Sequence, residues 1–366
     1  MELTVTQENL NKALGVASRI ASNRTQLPIL GNILFRTEKN RLLIAATNLE
    51  IAITRYIGAK VLKQGALTVP AKLISEFISN LPKESVHLKV VDNKLHIKCG
   101  VYKSVINGVL ADDFPELPTI SEKSSTRYTL NSDDFKQAIS QTIVAASSDS
   151  ARPTLTGVYW HTYKKHLYLA ATDGYRLSEK RVMGSDKNVS AIIPAQTLQE
   201  VLRIVTDELD EVDVLFDETQ VRFRTDETEI ISRLIDGEFP DYRQLIPKTS
   251  ETSVKLNKDE FIRVTKIAGL FSRDLGGSAT LTASKTKNTL SIHSIASELG
   301  ENTSEAKAEI TKDGQITLNS RYLSEALSAI EGEYVEFGFS GKIAPTILKS
   351  ADDNPDYYHV IMPLKS

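Results

Sequence analysis

The chain repeats itself with a period of about 125 residues, and this repeat limits its possible folds more than any other feature. The opening Leu3, Val5, Glu8, Leu10 recurs as Tyr128, Leu130, Asp133, Phe135 and again as Val254, Leu256, Asp259, Phe261, at shifts of 125 and 126. Alternation at the first two positions suits a strand. The spacing then becomes helical: Leu10, Ala13, Leu14, Ala17, matched by Phe135, Ala138, Ile139, Thr142 and by Phe261, Val264, Thr265, Ala268. Thr6, Asn131 and Asn257 stand just before these helices, where a side-chain oxygen can accept from the unpaired N–H groups of a first turn.

Each copy predicts a second helix at i, i+3, i+4, i+7: Ile74, Phe77, Ile78, Leu81; then Leu198, Val201, Leu202, Val205; then Leu323, Ala326, Leu327, Ile330. Strand-like segments lie between the helices, and LLIAATNLE at 42–50 and LYLAATDGY at 167–175 are 125 apart. Each domain therefore reads as two half-units of strand, helix and further strands. That is an α+β fold of three repeated domains, each with two helices packed on antiparallel sheets. The expected boundaries are 1–120, 127–246 and 252–366. Phe114-Pro115 and Phe239-Pro240, again 125 apart, mark the joints; proline removes a donor and fixes φ, so these stretches read as extended linkers that tether the domains rather than fuse them.

Function classes fall away quickly. A net charge of −3, with 41% hydrophobic and 25% charged residues, excludes whole-chain disorder and names no partner. The longest apolar runs, such as 42–46, are far short of a membrane span, and residues 1–10 lack the pattern of a secretory signal, so the cytoplasm is the expected location. Cys99 lies on the alternation Leu95, Ile97, Cys99, Val101 and reads as core. There is no GxxxxGK[ST] loop, no HExxH and no cysteine cluster, and the six histidines are scattered. No catalytic residue, metal or cofactor is expected. Asp173 belongs to an Asp-Gly turn.

Four motifs then become recognisable: Leu27-Pro28-Ile29-Leu30-Gly31-Asn32, Ala171-Thr172-Asp173-Gly174-Tyr175-Arg176-Leu177, Phe239-Pro240-Asp241-Tyr242 and Val360-Ile361-Met362-Pro363-Leu364. In that order, on a threefold repeat of this length, the chain resembles the bacterial DNA polymerase III beta subunit family, the replicative sliding clamps. The resemblance covers essentially the whole chain. It implies the DNA-clamp fold, a head-to-tail homodimer closing six domains into a ring, and work as a subunit of the polymerase III holoenzyme without an active site of its own. Sequence-independent binding of double-stranded DNA is implied, as is tethering of the replicative polymerase, clamp loader and repair proteins through short apolar motifs.

The repeat bears on this picture independently. Three domains in a row leave unlike surfaces at the two ends, and such contacts propagate until they close or form a filament. A nine-domain ring of three chains fits the residues as well as a six-domain ring of two. A sliding protein needs weak phosphate contacts rather than base readout. Over the six helices nine bases face eight acids, among the bases Lys12, Lys72, Lys136, Arg203 and Lys266; five of the acids sit in first turns, where the helix dipole accounts for them. By resemblance, Arg24 in the loop 22–26 and Arg152 in the loop 147–153 match positions that touch DNA, while Pro153 and Thr154 stand where aromatic side chains contact single-stranded template.

The resemblance further assigns a partner-peptide pocket to Leu155, Thr172, Gly174, Tyr175, Arg176, Leu177, Pro240, Gln244, Leu245, Thr346, Val360, Ile361, Met362, Pro363 and Leu364, with Tyr175 and Gln244 departing from the commonest family residues. The tail 360–364 reads equally as a final strand completing the third sheet. The dimer contact is assigned to Lys103, Ser104 and Ile106 on one side, and to Leu270, Phe271, Glu298, Glu301 and Glu305 on the other. A competing reading of the same residues is a scaffold of three α+β domains that displays edges to other proteins without encircling DNA.

Overall fold

The computed structural model describes residues 1–21, 27–206, 209–225, 227–272, 276–297, 300–352 and 355–364. The chain forms two compact units, Met1–Asp133 with Gln199–Leu234, and Asp134–Leu198 with Ile235–Ser366. Arg24 and Glu298 lie outside the described residues.

In the first unit, strand Glu2–Thr6 feeds helix α1, Gln7–Ile20, and the Thr6 hydroxyl accepts from the Asn9 N–H at 3.4 Å. Leu10, Ala13, Leu14 and Ala17 are buried, so the inward stripe is the one the spacing predicts. Helix α2, Ala71–Ser79, packs against α1. The expected second-helix pattern runs one or two residues past the helix in every copy: Leu81, Val205 and Ile330 fall just beyond the ends of α2, of α4 (Ala195–Ile204) and of α6 (Ser320–Ala329). Each is still buried, because the Leu81, Val205 and Ile330 N–H groups still donate to the Ile78, Val201 and Ala326 carbonyls and so keep the inward direction of the last turn.

A five-stranded sheet runs in the order Lys60–Lys63, Glu2–Thr6, Ser85–Val91, Lys94–Cys99, Tyr102–Asn107. Cys99 is buried as expected, but Val101 is 87% exposed. The strand ends at Cys99, and Gly100 at φ 54° turns the hairpin so that Val101 leaves the alternation. An eight-stranded antiparallel sheet runs Thr126–Asn131, Glu211–Phe216, Gln220–Arg224, Thr228–Arg233, Ile51–Gly58, Arg41–Thr47, Asn32–Glu38, Ala66–Pro70. Here a strand of the second repeat pairs with one of the first, Ile230 opposite Ile53. The expectation of domains that are merely tethered is thereby corrected. Each repeat presents edge N–H and C=O groups that need partners, and a neighbouring edge satisfies them where a linker alone would not.

The second unit has a twelve-stranded sheet: Ser190–Pro194, Gly157–Tyr163, His166–Thr172, Arg176–Gly184, Tyr357–Ile361, Thr346–Ser350, Tyr334–Phe339, Thr252–Asn257, Gly300–Ile310, Thr289–Ala296, Ser278–Ser284, Gly314–Asn319. Helix α5, Lys258–Leu270, is capped by Asn257, which accepts from the Glu260 N–H, and packs against α6, whose cap Asn319 accepts from Arg321 and Tyr322. Helix α3, Ser132–Ile143, starts at Asn131, whose Oδ1 accepts from the Asp133 N–H at 3.0 Å. The tail strand is internal rather than terminal: Val360 stands opposite Leu177 on one side and Ile347 on the other, so it joins the second repeat to the third.

Close approach at Gly157 offers a direct check on this packing. A Cβ there would stand 2.6 Å from Ile192 Cγ2 and 2.7 Å from the Ile193 carbonyl, with strand backbone on one side that has nowhere to move. Gly157→Ala is expected to destabilise the protein by about 2 kcal/mol through overpacking, read as a lowered urea midpoint. An unchanged midpoint would show that the strand pair is looser than described.

Candidate functional site

The sheet of the second unit builds an apolar surface at one corner. Strand His166–Thr172 ends in a turn in which Asp173 Oδ1 accepts from the N–H groups of Tyr175 and Arg176 at 2.9 and 3.0 Å. The Thr172 hydroxyl donates to the Arg176 carbonyl at 2.6 Å and accepts from the Gly174 N–H at 3.1 Å. Gly174 has φ +92°, a conformation open to glycine, and a Cβ there would stand 3.2 Å from Arg152 Nη1. The turn pushes Tyr175 outward, 61% exposed, and returns Leu177 to the sheet. Tyr175 accepts through its carbonyl from the Met362 N–H at 2.8 Å, which sets these two side chains at the same edge.

Beneath this edge Leu177, Val360, Ala170 and Tyr242 form one buried apolar cluster, joined by Phe239 and Ile246 from the segment after strand Thr228–Arg233. Of the fifteen expected pocket residues, Leu155, Thr172, Leu177, Thr346, Val360 and Ile361 are buried floor, with Thr346 donating to the Ile361 carbonyl at 3.0 Å. Gly174, Tyr175, Pro240, Gln244, Leu245 and Met362 are exposed, and Pro363 and Leu364 are half-buried. Arg176 is buried: its guanidinium pairs with Asp173 at 3.0 Å and with Glu325, and lies 4.4 Å from the Tyr322 ring. It holds protein together and has little left to offer a partner.

The repeat supplies an internal comparison. In the first repeat Asn48 makes the same turn, accepting from Glu50 and Ile51, and the Arg233 N–H donates to the Glu50 carbonyl as Met362 does to Tyr175. The backbone frame is shared. The side chains differ: Glu50 and Arg233 stand 3.8 Å apart as an ion pair where the second frame presents tyrosine and methionine. Comparing the two copies of LxxAAT in sequence could have found this contrast.

The expected DNA residues are dispersed. Lys12, Lys72 and Lys266 are exposed on α1, α2 and α5, and Lys136 is half-buried on α3. Arg203 pairs with Glu200, which also holds Arg19 at 2.9 Å. Arg152, paired with Asp149 at 3.3 Å, is placed beside Gly174, that is, beside the expected peptide surface. For the expected dimer contact, Lys103 is exposed and Ile106 buried on the edge strand Tyr102–Asn107; Leu270 is 54% exposed rather than core, Phe271 half-buried, and Glu301 and Glu305 exposed. No helix among the described residues is long and apolar enough to cross a membrane.

Three repeated α+β domains with paired helices on antiparallel sheets are the clamp fold. Models of the DNA polymerase III beta subunit match in order: N-terminal domain over 1–118, central domain over 129–241 and C-terminal domain over 243–365. The chain is 28% identical over 380 residues to the beta sliding clamp of Bacillus subtilis and 29% over 379 residues to that of Staphylococcus epidermidis, with all of each chain covered. Among solved structures it resembles the B. subtilis clamp, at a TM-score of 0.94 and 27% identity, covering 100% of this chain and 99% of that one. A sliding clamp from Bartonella birtlesii bound to griselimycin gives the same score and identity over 100% of both chains. The chain belongs to the DNA polymerase III beta subunit family, and its function is that of a replication sliding clamp, a processivity factor.

Proposed function

We propose that two copies close head to tail into a six-domain ring around duplex DNA in the cytoplasm, and that the Tyr175 and Met362 edge receives short apolar segments of the polymerase, clamp loader and repair proteins. The carrying observation is the pair of unlike open edges. Strand Tyr102–Asn107 ends its sheet and presents Lys103, while residues 300–307 pair with strand Thr289–Ala296 alone among the described strands and present Glu301 and Glu305. Antiparallel joining of such edges in two copies would remove a pairing hazard and bring opposite charges together. Exposed Lys12, Lys72 and Lys266, with Arg24, Arg152, Lys136 and Arg203, would then hold phosphate weakly enough to slide. Sedimentation should give the mass of two chains. Clamp loaded by its loader should stay on closed circular DNA and leave once the circle is cut; a one-chain mass with no dependence on DNA topology would refute the ring and favour the scaffold.

The similar clamp bound to griselimycin supports a peptide-like ligand at the apolar edge. Met362→Asp places an unpaired carboxylate there and is expected to weaken griselimycin binding about 100-fold. Calorimetric titration reads this, and full affinity in the variant removes Met362 from the site.

A further inference from the structure

We propose that His161, Glu179, Tyr242 and Arg243 are positioning residues that hold the joint, and with it Pro240 and Leu245, in the conformation that receives an apolar peptide; this rests on the peptide-site reading above. Tyr242 is 3% exposed. Its hydroxyl donates to Glu179 Oε2 at 2.5 Å and lies 2.7 Å from His161 Nε2. One hydroxyl carries one proton, so His161 must donate its Nε2–H to Tyr242, which makes it the neutral Nε2–H tautomer. Burial, with the Arg243 charge adding, pulls that imidazole down to about 4 and keeps it neutral. Arg243 Nη2 stands 2.8 Å from Glu179 Oε2, and its guanidinium lies 4.0 and 4.2 Å from the Tyr163 and Tyr168 rings. Tyr159 stacks at 4.9 Å on Phe239 of the joint. Three residues of a five-residue stretch are thus fastened to the second repeat's sheet, and Arg243 opens the 3-10 turn Arg243–Leu245 that leaves Leu245 half exposed.

The fold does not require this lock. In the first repeat the equivalents of His161, Tyr168, Glu179, Tyr242 and Arg243, 125 residues earlier, are Arg36, Leu43, Thr54, Leu117 and Pro118, with the strand pairings 36 to 43 and 161 to 168 in matching register. There the joint packs by Phe114 and Leu117 against Leu34, Leu43 and Ala45. Where the second repeat has its hydrogen-bonded chain, the first has part of an open groove of about 960 Å³ that Arg36, Thr54, Leu117 and Pro118 help to line and that extends to Arg224 and Glu229. At that place a clamp domain therefore packs its joint without the hydrogen-bonded chain, and the polar contacts of the first joint lie further on, where Glu122 pairs with Arg127 at 2.8 Å and Arg222 at 3.4 Å. A buried carboxylate raised by its own burial adds little net stability over apolar contacts, and its use is to select one geometry. The lock occurs at the joint whose frame ends in Tyr175 and Met362 and is missing from the joint whose frame ends in Glu50 and Arg233.

Griselimycin titrated calorimetrically into the full chain tests this. Tyr242→Phe keeps the ring and removes the hydroxyl; if the ordered joint falls to a tenth of the population, affinity drops about 10-fold. Arg243→Lys keeps the charge but loses the planar stacking on the Tyr163 and Tyr168 rings, and should fall by a similar factor of about 10. Glu179→Gln still accepts from Tyr242 and should bind within about 2-fold of the unaltered chain, whereas Glu179→Ala should match Tyr242→Phe. Nitrogen NMR should show His161 as the Nε2–H form, mixed with the other tautomer in Tyr242→Phe. Leu117→Ala at the first joint should leave affinity unchanged. Wild-type affinity in Tyr242→Phe and Arg243→Lys, with Met362→Asp weakened, overturns the positioning role alone. So does equal weakening in Glu179→Gln and Glu179→Ala, which would mark a purely structural charge. No binding by the unaltered chain, or full binding by Met362→Asp, overturns the peptide site and the lock together.

Discussion

Replacing Arg176 with alanine is expected to destabilise the second unit by about 3–5 kcal/mol, the scale of breaking a buried ion pair from one side. The guanidinium side chain is 6% exposed and Asp173 is 13% exposed, so that pair at 3.0 Å is little screened. Glu325 is 36% exposed, and its share is discounted for solvent. The Tyr322 face adds a cation–π contact of about 1 kcal/mol. Removal leaves Asp173 charged, partly buried and still tied to the turn that presents Tyr175, so the turn loosens as well as the α6 contact. Arg176→Lys should recover less than half, since an ammonium lacks both the fork and the planar stack. Urea unfolding of each variant, with hydrogen exchange across residues 173–177 and 320–327, measures the loss. A change below about 1 kcal/mol would mean that Arg176 behaves as a solvated surface charge.

Acid should weaken the fold through two histidines. Burial, with the Arg176 charge adding, holds His359 at about 3, and His161 sits at about 4, against an ordinary 6.5 in the unfolded chain. Between those limits the unfolded chain binds protons that the native chain refuses, so stability rises with pH and is lost as pH falls below about 6.5. From pH 7 to pH 4 the cost is on the order of 3 kcal/mol for each buried histidine, less for His161, which is not wholly enclosed. Glu179 works the other way, since burial raises its carboxyl and acid relieves that penalty. The Tyr357 hydroxyl donates to the Gln141 carbonyl at 3.0 Å, so His359 Nδ1–H donates to that hydroxyl at 2.8 Å; His359→Asn offers an amide N–H in its place and removes the titrating ring. Its urea midpoint should depend less steeply on pH between about 6.5 and 4, by about one proton. An unchanged slope would show that His359 does not titrate as a buried neutral ring.

The repeat, the three first-helix caps and the helix faces were legible because they depend on neighbours within a turn or two: Thr6, Asn131 and Asn257 act on N–H groups two or three residues away. The Asx turn at Asp173 was legible for the same reason. Alternation along residues 95–101 showed which side chains turn inward but not where the strand stops, and Gly100 ended it one step before Val101. The expected pocket residues could be named by resemblance, yet only the tertiary structure separated Tyr175 and Met362, which face outward, from Arg176, which is spent inside.

Sequence alone therefore determined the threefold α+β architecture, the six helices and their buried stripes, since periodicity and capping are local consequences of backbone geometry. Tertiary structure alone decided which edges meet: 228–233 beside 51–58, and 357–361 between two repeats, pairings more than 170 residues apart in sequence. It also decided that His161, Tyr242 and Glu179 are joined by hydrogen bonds, where the counterparts in the first repeat are Arg36, Leu117 and Thr54. A period of two says which face of a strand is buried and nothing about its neighbour, and a hydrogen bond between distant segments leaves no mark on the spacing of either.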